Sequence, residues 1–417
     1  MGWRSHVIKC FNAAQMDSHL RSLFFYNSLT NCAIKYIILT ILICLFLLRQ
    51  VCLKGVIIIK NRTVHFFKFY YSFIIVFYHI AYHLKGGLPG GYMAVEFYLI
   101  CAGMFLFKSF EKKEHTANLL TPIQYGVKRF SRMFPWALTG FLFVFVVKRL
   151  WIDRCFSLTQ HADYFSGDIW ELLLIKINGM NDNMPLFNGP AWTMGALCIV
   201  GLVIWGLLYY DKTRWFRDWI MPVSLIFFYG VWRHLESGDH QVWIGWTTLS
   251  VFRTYIGMCL GYYCYKLSAK FSEKQLSALG ASIVTIVEIS LHVIATIIMF
   301  NRETRNYQWL VSLIFVISLV IGMSGKSYLA VIMNKIKFID FLGDFSLSLY
   351  LVHYGVILIF RHSITETLWS GKIIGLYAVA VILVGLIHYY GTLWMEKHLF
   401  TGIKRFWNKY CLTSKNS

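Results

Sequence analysis

The sequence predicts an all-α polytopic membrane protein with about ten core transmembrane helices, and three observations lead there. Of its 417 residues, 57% are hydrophobic and only 14% are charged. A soluble domain needs roughly a quarter of its residues charged to solvate its surface. The apolar residues also come in consecutive blocks near the length a bilayer core demands. Finally, the basic residues gather in short clusters between those blocks. A formal charge of +20 would suit nucleic acid if it lay on one face. Clusters at block ends are instead what the positive-inside bias produces, so the sequence points to a membrane and to no nucleic acid.

The first 33 residues are mixed and weakly basic. A short apolar block at 34–48, flanked by Lys35 and Arg49, lacks a small-residue cleavage site. It reads as an extra N-terminal span, or else a helix lying at the interface, rather than a removable signal peptide. The core blocks then run 66–83, 92–110, 132–152, 191–210, 217–234, 246–267, 278–300, 307–325, 343–362 and 372–395. Their connections alternate in charge. Arg49, Lys54, Lys60 and Arg62 precede the first block, whereas the glycine-rich loop after it carries only Lys85. Lys108, Lys112, Lys113 and Lys128 follow the second, and the 153–190 connection is richer in acids. An even number of spans with every strongly basic connection on one side places both ends of the core in the cytoplasm, in a multi-pass cell (inner) membrane protein surrounded by lipid. The ten cysteines are scattered, and none has the two-residue spacing of a zinc or thioredoxin-like site. Cys259 and Cys264 lack neighbouring ligands, so they read as small apolar filler and no metal is expected.

Charges inside hydrocarbon cost roughly 3 kcal/mol or more each, so they face a cavity or a partner. His79 and His83 lie four apart, on one face near the outer end of the first core span. Glu96 sits about one turn inside the outer end of the second span, Trp192 opens the fourth, and His353 lies in the outer half of the ninth, with Tyr350 one turn below it. These groups share one depth and form either a polar cluster tying helices together or a site with a base, an orienting carboxylate and a cleft. Lys68 lies eleven residues before His79, about 16 Å deeper along the helix. Arg129 and Arg132 lie one turn apart ahead of Pro135, and Arg253 sits within the sixth span. Guanidiniums near the inner face suit phosphate, which their planar forks bind bidentately; as positive-inside anchors they would be ordinary. Glu288 and His292, four apart on the seventh span, read as a pair neutralising each other.

In these residues the chain resembles the acyltransferase-3 family of integral membrane O-acyltransferases. The family's basic residue, ten others, then histidine is matched by Lys68 and His79. Its glycine-bearing loop and valine-acid-aromatic run are matched by Gly90-Gly91-Tyr92-Met93-Ala94-Val95-Glu96-Phe97-Tyr98. Ala102 stands where the family often has serine. Arg129-Phe130-Ser131-Arg132-Met133-Phe134-Pro135 matches the arginine pair before proline, and Ala191-Trp192-Thr193-Met194 the tryptophan opening a middle span. Leu197 replaces a glutamate found in many members. Ser250-Val251-Phe252-Arg253 and the run from Leu342 to His353 complete six signatures in register.

The resemblance implies three regions: an N-terminal extension 1–56, a membrane acyltransferase domain 57–400, and a cytoplasmic tail 401–417. It implies acyl transfer, most often of acetyl, from coenzyme A to a glycan or lipid-linked glycan of the cell envelope, with acyl-CoA as a substrate and no permanently bound cofactor. His79 would be the base and Glu96 its positioner. Lys68, Arg129, Arg132 and Arg253 would hold the phosphates of coenzyme A, and His83, Trp192, Tyr350 and His353 would line the acceptor cleft. The rival reading is a proton-coupled secondary transporter, which would show broken spans at matching places in two halves.

Overall fold

Helices stand at all ten apolar blocks. The computed structural model describes residues 62–83, 89–116, 118–152, 159, 169–174, 188–235, 242–244, 247–300, 308–363, 371–399 and 401. The 34–48 block, most of the 153–190 connection and the tail beyond 401 lie outside the described residues. The helices are α1 (Arg62–His83), α2 (Ala94–His115), α3 (Pro122–Phe145), α4 (Trp192–Tyr210), α5 (Met221–Leu235) and α6 (Leu249–Ser272). They continue as α7 (Ala278–Phe300), α8 (Gln308–Ser324), a short α9 (Tyr328–Lys335), α10 (Phe338–Ser363) and α11 (Gly371–His398). A two-residue antiparallel pair, β1 (Trp243–Ile244) with β2 (Thr247–Thr248), precedes α6.

Local signals set several boundaries. Thr121 caps α3 by accepting from Gln124 N at 3.3 Å, while Gln124 Oε1 accepts from Thr121 N at 3.1 Å, and Pro122 takes the first helical position. This reciprocal box satisfies two of the orphan donors of a helix start. Gly325, at φ 71°, ends α8 in the left-handed region that glycine enters without a Cβ clash.

Among the described residues, six helices are long and apolar enough to cross a membrane, seven if α8 and α9, bent by 63°, form one span. The expected ten spans are thus met by six or seven on length and apolarity. The helices falling short are α1, α5 and α6. For α6 the reason is its position: Leu249, Arg253, Thr254, Ile256, Met258, Cys259, Tyr262 and Cys264 are all buried, so protein takes the place of lipid around it. By contrast, α7 and α11 turn Ile283, Ile286, Ile297, Leu383 and Ile387 outward, as a surface solvated by hydrocarbon requires.

Two parallel pairs organise the centre. A Cβ on Gly103 of α2 would stand 2.1 Å from Met258 O, and one on Gly261 of α6 would stand 2.4 Å from Ile100 O. Only glycine permits that approach, which seats α2 directly on α6. Lys266 and Glu111, 2.5 Å apart, tie the far ends of the same two helices. Alongside them, α1 and α10 run in one direction, with His65 against Gly343 near one end and His79 against His353 toward the other.

Candidate active site

The parallel arrangement brings the last turns of α1 and the second half of α10 to the end of the bundle where α2, α4 and α6 begin. There the ring of His79, half-buried, lies 5.0 Å from that of His353, with 38° between their planes. His353 is fully buried. Its Nδ1 lies 2.8 Å from the Tyr350 carbonyl. A carbonyl only accepts, so Nδ1 carries the proton and Nε2 of the neutral ring keeps its lone pair. That Nε2 is buried and has no hydrogen-bond partner. The Tyr350 ring is 5.9 Å from His353 and 6.3 Å from Tyr98. His83 is the last residue of α1, and its side chain lies outside the described residues.

Beside this pair stands a buried ion pair. Arg253 donates to Glu96 Oε1 from Nη2 at 2.7 Å and from Nε at 3.1 Å, with side-chain exposures of 2% and 1%. Three aromatic faces enclose the guanidinium: Trp192 and Trp232 at 5.4 Å and Tyr92 at 5.8 Å. Desolvated cation–π contacts of this kind are worth about 2 kcal/mol. Glu96 lies in the first turn of α2, where the helix dipole also favours its charge.

Three sequence expectations change here. Glu96 does not position His79, because its hydrogen bonds go to Arg253. Depth along a helix fixes height but not azimuth, and the glycine contacts with α6 turn the Glu96 face toward Arg253. Arg253 in turn does not join a phosphate-binding set. Its charge is matched by Glu96 at the histidine end of the bundle. Glu288 and His292 do not pair either. The ring of His292 stacks on Phe67 at 3.4 Å and its Nδ1 meets the Tyr71 hydroxyl at 2.8 Å, leaving Glu288 without a partner.

The remaining basic candidates sit apart. The α3 helix packs on α4, α10 and α11. On it, Arg129 donates from Nη1 to the Tyr125 hydroxyl at 2.7 Å, and its Nε is buried without a hydrogen-bond partner. Tyr125 stacks on Trp205 at 4.1 Å, which fixes this Arg–Tyr pair against α4. Arg132, one turn on, is exposed. The Lys68 ammonium lies 5.2 Å from the Phe105 ring centroid, while its backbone carbonyl accepts from the Tyr98 hydroxyl.

The site also uses residues the sequence reading did not select. Trp232 on α5 walls the Arg253 cage, and its buried Nε1 has no acceptor. Asn188, just before the turn into α4, donates from Nδ2 to Leu351 O at 3.1 Å, and its N–H donates to Glu171 Oε1 at 2.7 Å. Its Oδ1 is buried and unpartnered. No local signal marks either residue, because each role depends on a contact made by a distant helix. His353 Nε2, Trp232 Nε1 and Asn188 Oδ1 are thus three buried polar atoms at this end of the bundle without a hydrogen-bond partner. Among the described residues, no group of three or more His, Cys, Asp or Glu is placed to hold a metal ion.

A family model described as an acyltransferase domain matches residues 61–390. No curated protein and no solved structure matches the chain. The family match takes in α1 to most of α11, and with them both histidines, the ion pair and both arginines of α3. With its apolar helices and this match over most of its length, the chain belongs to the acyltransferase-3 family of membrane acyltransferases.

Proposed function

We propose that the protein transfers an acyl group, acetyl in the simplest case, from acyl-CoA to a hydroxyl of a cell-envelope or exported polysaccharide. The observation that carries this reading is the His79–His353 pair, with an unprotonated, unpartnered Nε2 beside a half-buried imidazole. A glycan hydroxyl attacks a thioester only as its proton leaves, and a neutral imidazole with a free lone pair is suited to take it. His79 faces the acceptor and removes the proton as the oxygen bonds to the thioester carbonyl carbon. The tetrahedral intermediate then expels the coenzyme A thiolate, which takes up the proton, giving an ester and free coenzyme A. The starts of α2, α4 and α6 converge on this end of the bundle, and the positive ends of their dipoles favour the oxyanion of that intermediate. Family membership supports an enzyme over the transporter reading.

Coenzyme A reaches the site from the cytoplasmic side in this scheme, with Arg129, Arg132 and Lys68 holding its phosphates. Such charge-assisted contacts are worth about 1.5–3 kcal/mol, so an Arg129→Ala, Arg132→Ala double variant should bind coenzyme A at least ten- to a hundredfold more weakly, roughly. Calorimetry on detergent-purified protein measures this, and unchanged affinity removes both arginines from the donor site. The function itself is tested by following labelled acetyl from acetyl-CoA into surface glycan in membranes with and without the protein. Transfer that is equal in the two refutes it.

The same scheme fixes orientation. A cysteine placed at Ser414 or Glu111 on a cysteine-free background should be protected from an impermeant reagent in intact cells, while one in the 153–190 connection should react. Outward labelling at Ser414 would reverse the assignment of donor and acceptor sides.

A further inference from the structure

Glu288 is the most unusual polar side chain in the bundle outside the histidine site. It lies in the middle of α7 with no solvent exposure, and neither carboxyl oxygen has a hydrogen-bond partner. His292, one turn along α7, bonds to Tyr71, and Arg62, beside Thr63, is bound to Asp340 at 2.7 Å. Lys326, on the turn after α8, forms no ion pair with it. A carboxylate cannot remain charged in such a place without a counter-charge.

Its surroundings supply oxygen atoms. A methyl group on Gly322 would stand 2.8 Å from Glu288 Oε1 and 3.3 Å from Thr63 Cγ2, so the carboxylate and the threonine side chain both lie against this glycine. Thr63 Oγ1 is likewise buried and unpartnered. Gly322 lies in the last turn of α8, just before the 63° bend into α9. A helix end leaves its final carbonyls without intrahelical donors and carries the negative end of the dipole. Ser327 caps α9 by accepting from Ala330 N at 3.1 Å, and the next residue, Tyr328, donates from N to Thr285 Oγ1, one turn before Glu288 on α7, at 2.8 Å. A break in a membrane helix beside a buried carboxylate is the arrangement in which unwound carbonyls and half-helix ends hold cations.

We infer that Glu288, Thr63 and the carbonyl end of α8 form a site for a hard monovalent cation, of which sodium is the simplest. The donors are all oxygen, which excludes soft metals that prefer nitrogen or sulfur. A single carboxylate is neutralised by one positive charge, whereas a divalent ion would leave a net charge buried in the bundle. Bound there, the ion joins α1, α7 and the α8–α9 bend, and so stabilises the break. The site does not depend on the acyl-transfer reading.

The test is thermal unfolding of the purified full-length protein in detergent, titrating sodium chloride against N-methylglucamine chloride at constant ionic strength. Sodium should raise the melting temperature saturably, by about 2–5 °C. Glu288→Gln, which keeps the shape and removes the charge, should abolish the response while folding as well as the sodium-free wild type. Gly322→Ala, which leaves the carboxylate and fills the space, should shift half-saturation to at least about tenfold higher sodium, since a displaced ligand of this kind is worth about one decade. A wild-type melting temperature indifferent to sodium would leave a proton as the only counter-charge and overturn the site. A full sodium response in Glu288→Gln would place the ion elsewhere and overturn it equally.

Discussion

Acyl transfer by the His79→Gln variant is expected to fall by about 10²–10⁴-fold at matched membrane expression, with coenzyme A binding unchanged. Glutamine preserves size and polarity, so the loss isolates proton transfer from packing. His79 is the half-buried member of the pair, while His353 is fully enclosed and held by the Tyr350 carbonyl. In the proposed scheme the acceptor meets His79 first, and His353, packed 5.0 Å behind it, acts as a positioning residue. His353→Gln should depress the rate less and should displace the pH–rate profile, which a purely packing role would leave in place. Near-normal transfer in His79→Gln would assign the base to His353 and make His79 a wall of the cleft. The assay is labelled acetyl incorporation into the native glycan across a pH series.

Removing one partner of the Arg253–Glu96 pair should destabilise the protein by about 3–5 kcal/mol, because the other charge stays buried and unmatched. Arg253→Met, which retains volume against Trp192 and Trp232, should lower the melting temperature sharply and reduce the monodisperse yield in detergent. Adding Glu96→Gln to Arg253→Met removes the stranded charge and should recover most of the loss. Transfer activity should not return in the double variant if the pair also shapes the site around His79 and His353. A single Arg253→Met variant as stable as the wild type would mean that Glu96 is neutralised by something other than Arg253. Arg253→Lys should fall between the two, since an ammonium cannot reproduce the two-nitrogen contact with Glu96 Oε1.

Composition and block length sufficed for a helical membrane protein, and helices occur at all ten apolar blocks, from α1 at 66–83 to α11 at 372–395. Span counting was less secure for α1, α5 and α6. The enclosed α6 needs no apolar surface of its own, so hydropathy under-reads it, whereas α5, with Ile226 and Phe227 exposed, is short at 15 residues. The order of the signatures, from Lys68 and His79 to Tyr350 and His353, was enough to recognise the family. Those signatures are local, and each survives in the linear text.

Pairing was another matter. The sequence by itself determined which ionisable residues enter the bundle and at what height along each helix, because rise per residue is fixed. The tertiary structure alone decided their partners: Glu96 with Arg253, His79 with His353, His292 with Tyr71, and Glu288 with the end of α8. A helix presents a residue to one neighbour or another according to its rotation and to which helices pack beside it. That rotation is set by contacts far apart in sequence, such as Gly103 on Met258 and Gly261 on Ile100, which press α2 onto α6 and carry Glu96 to Arg253.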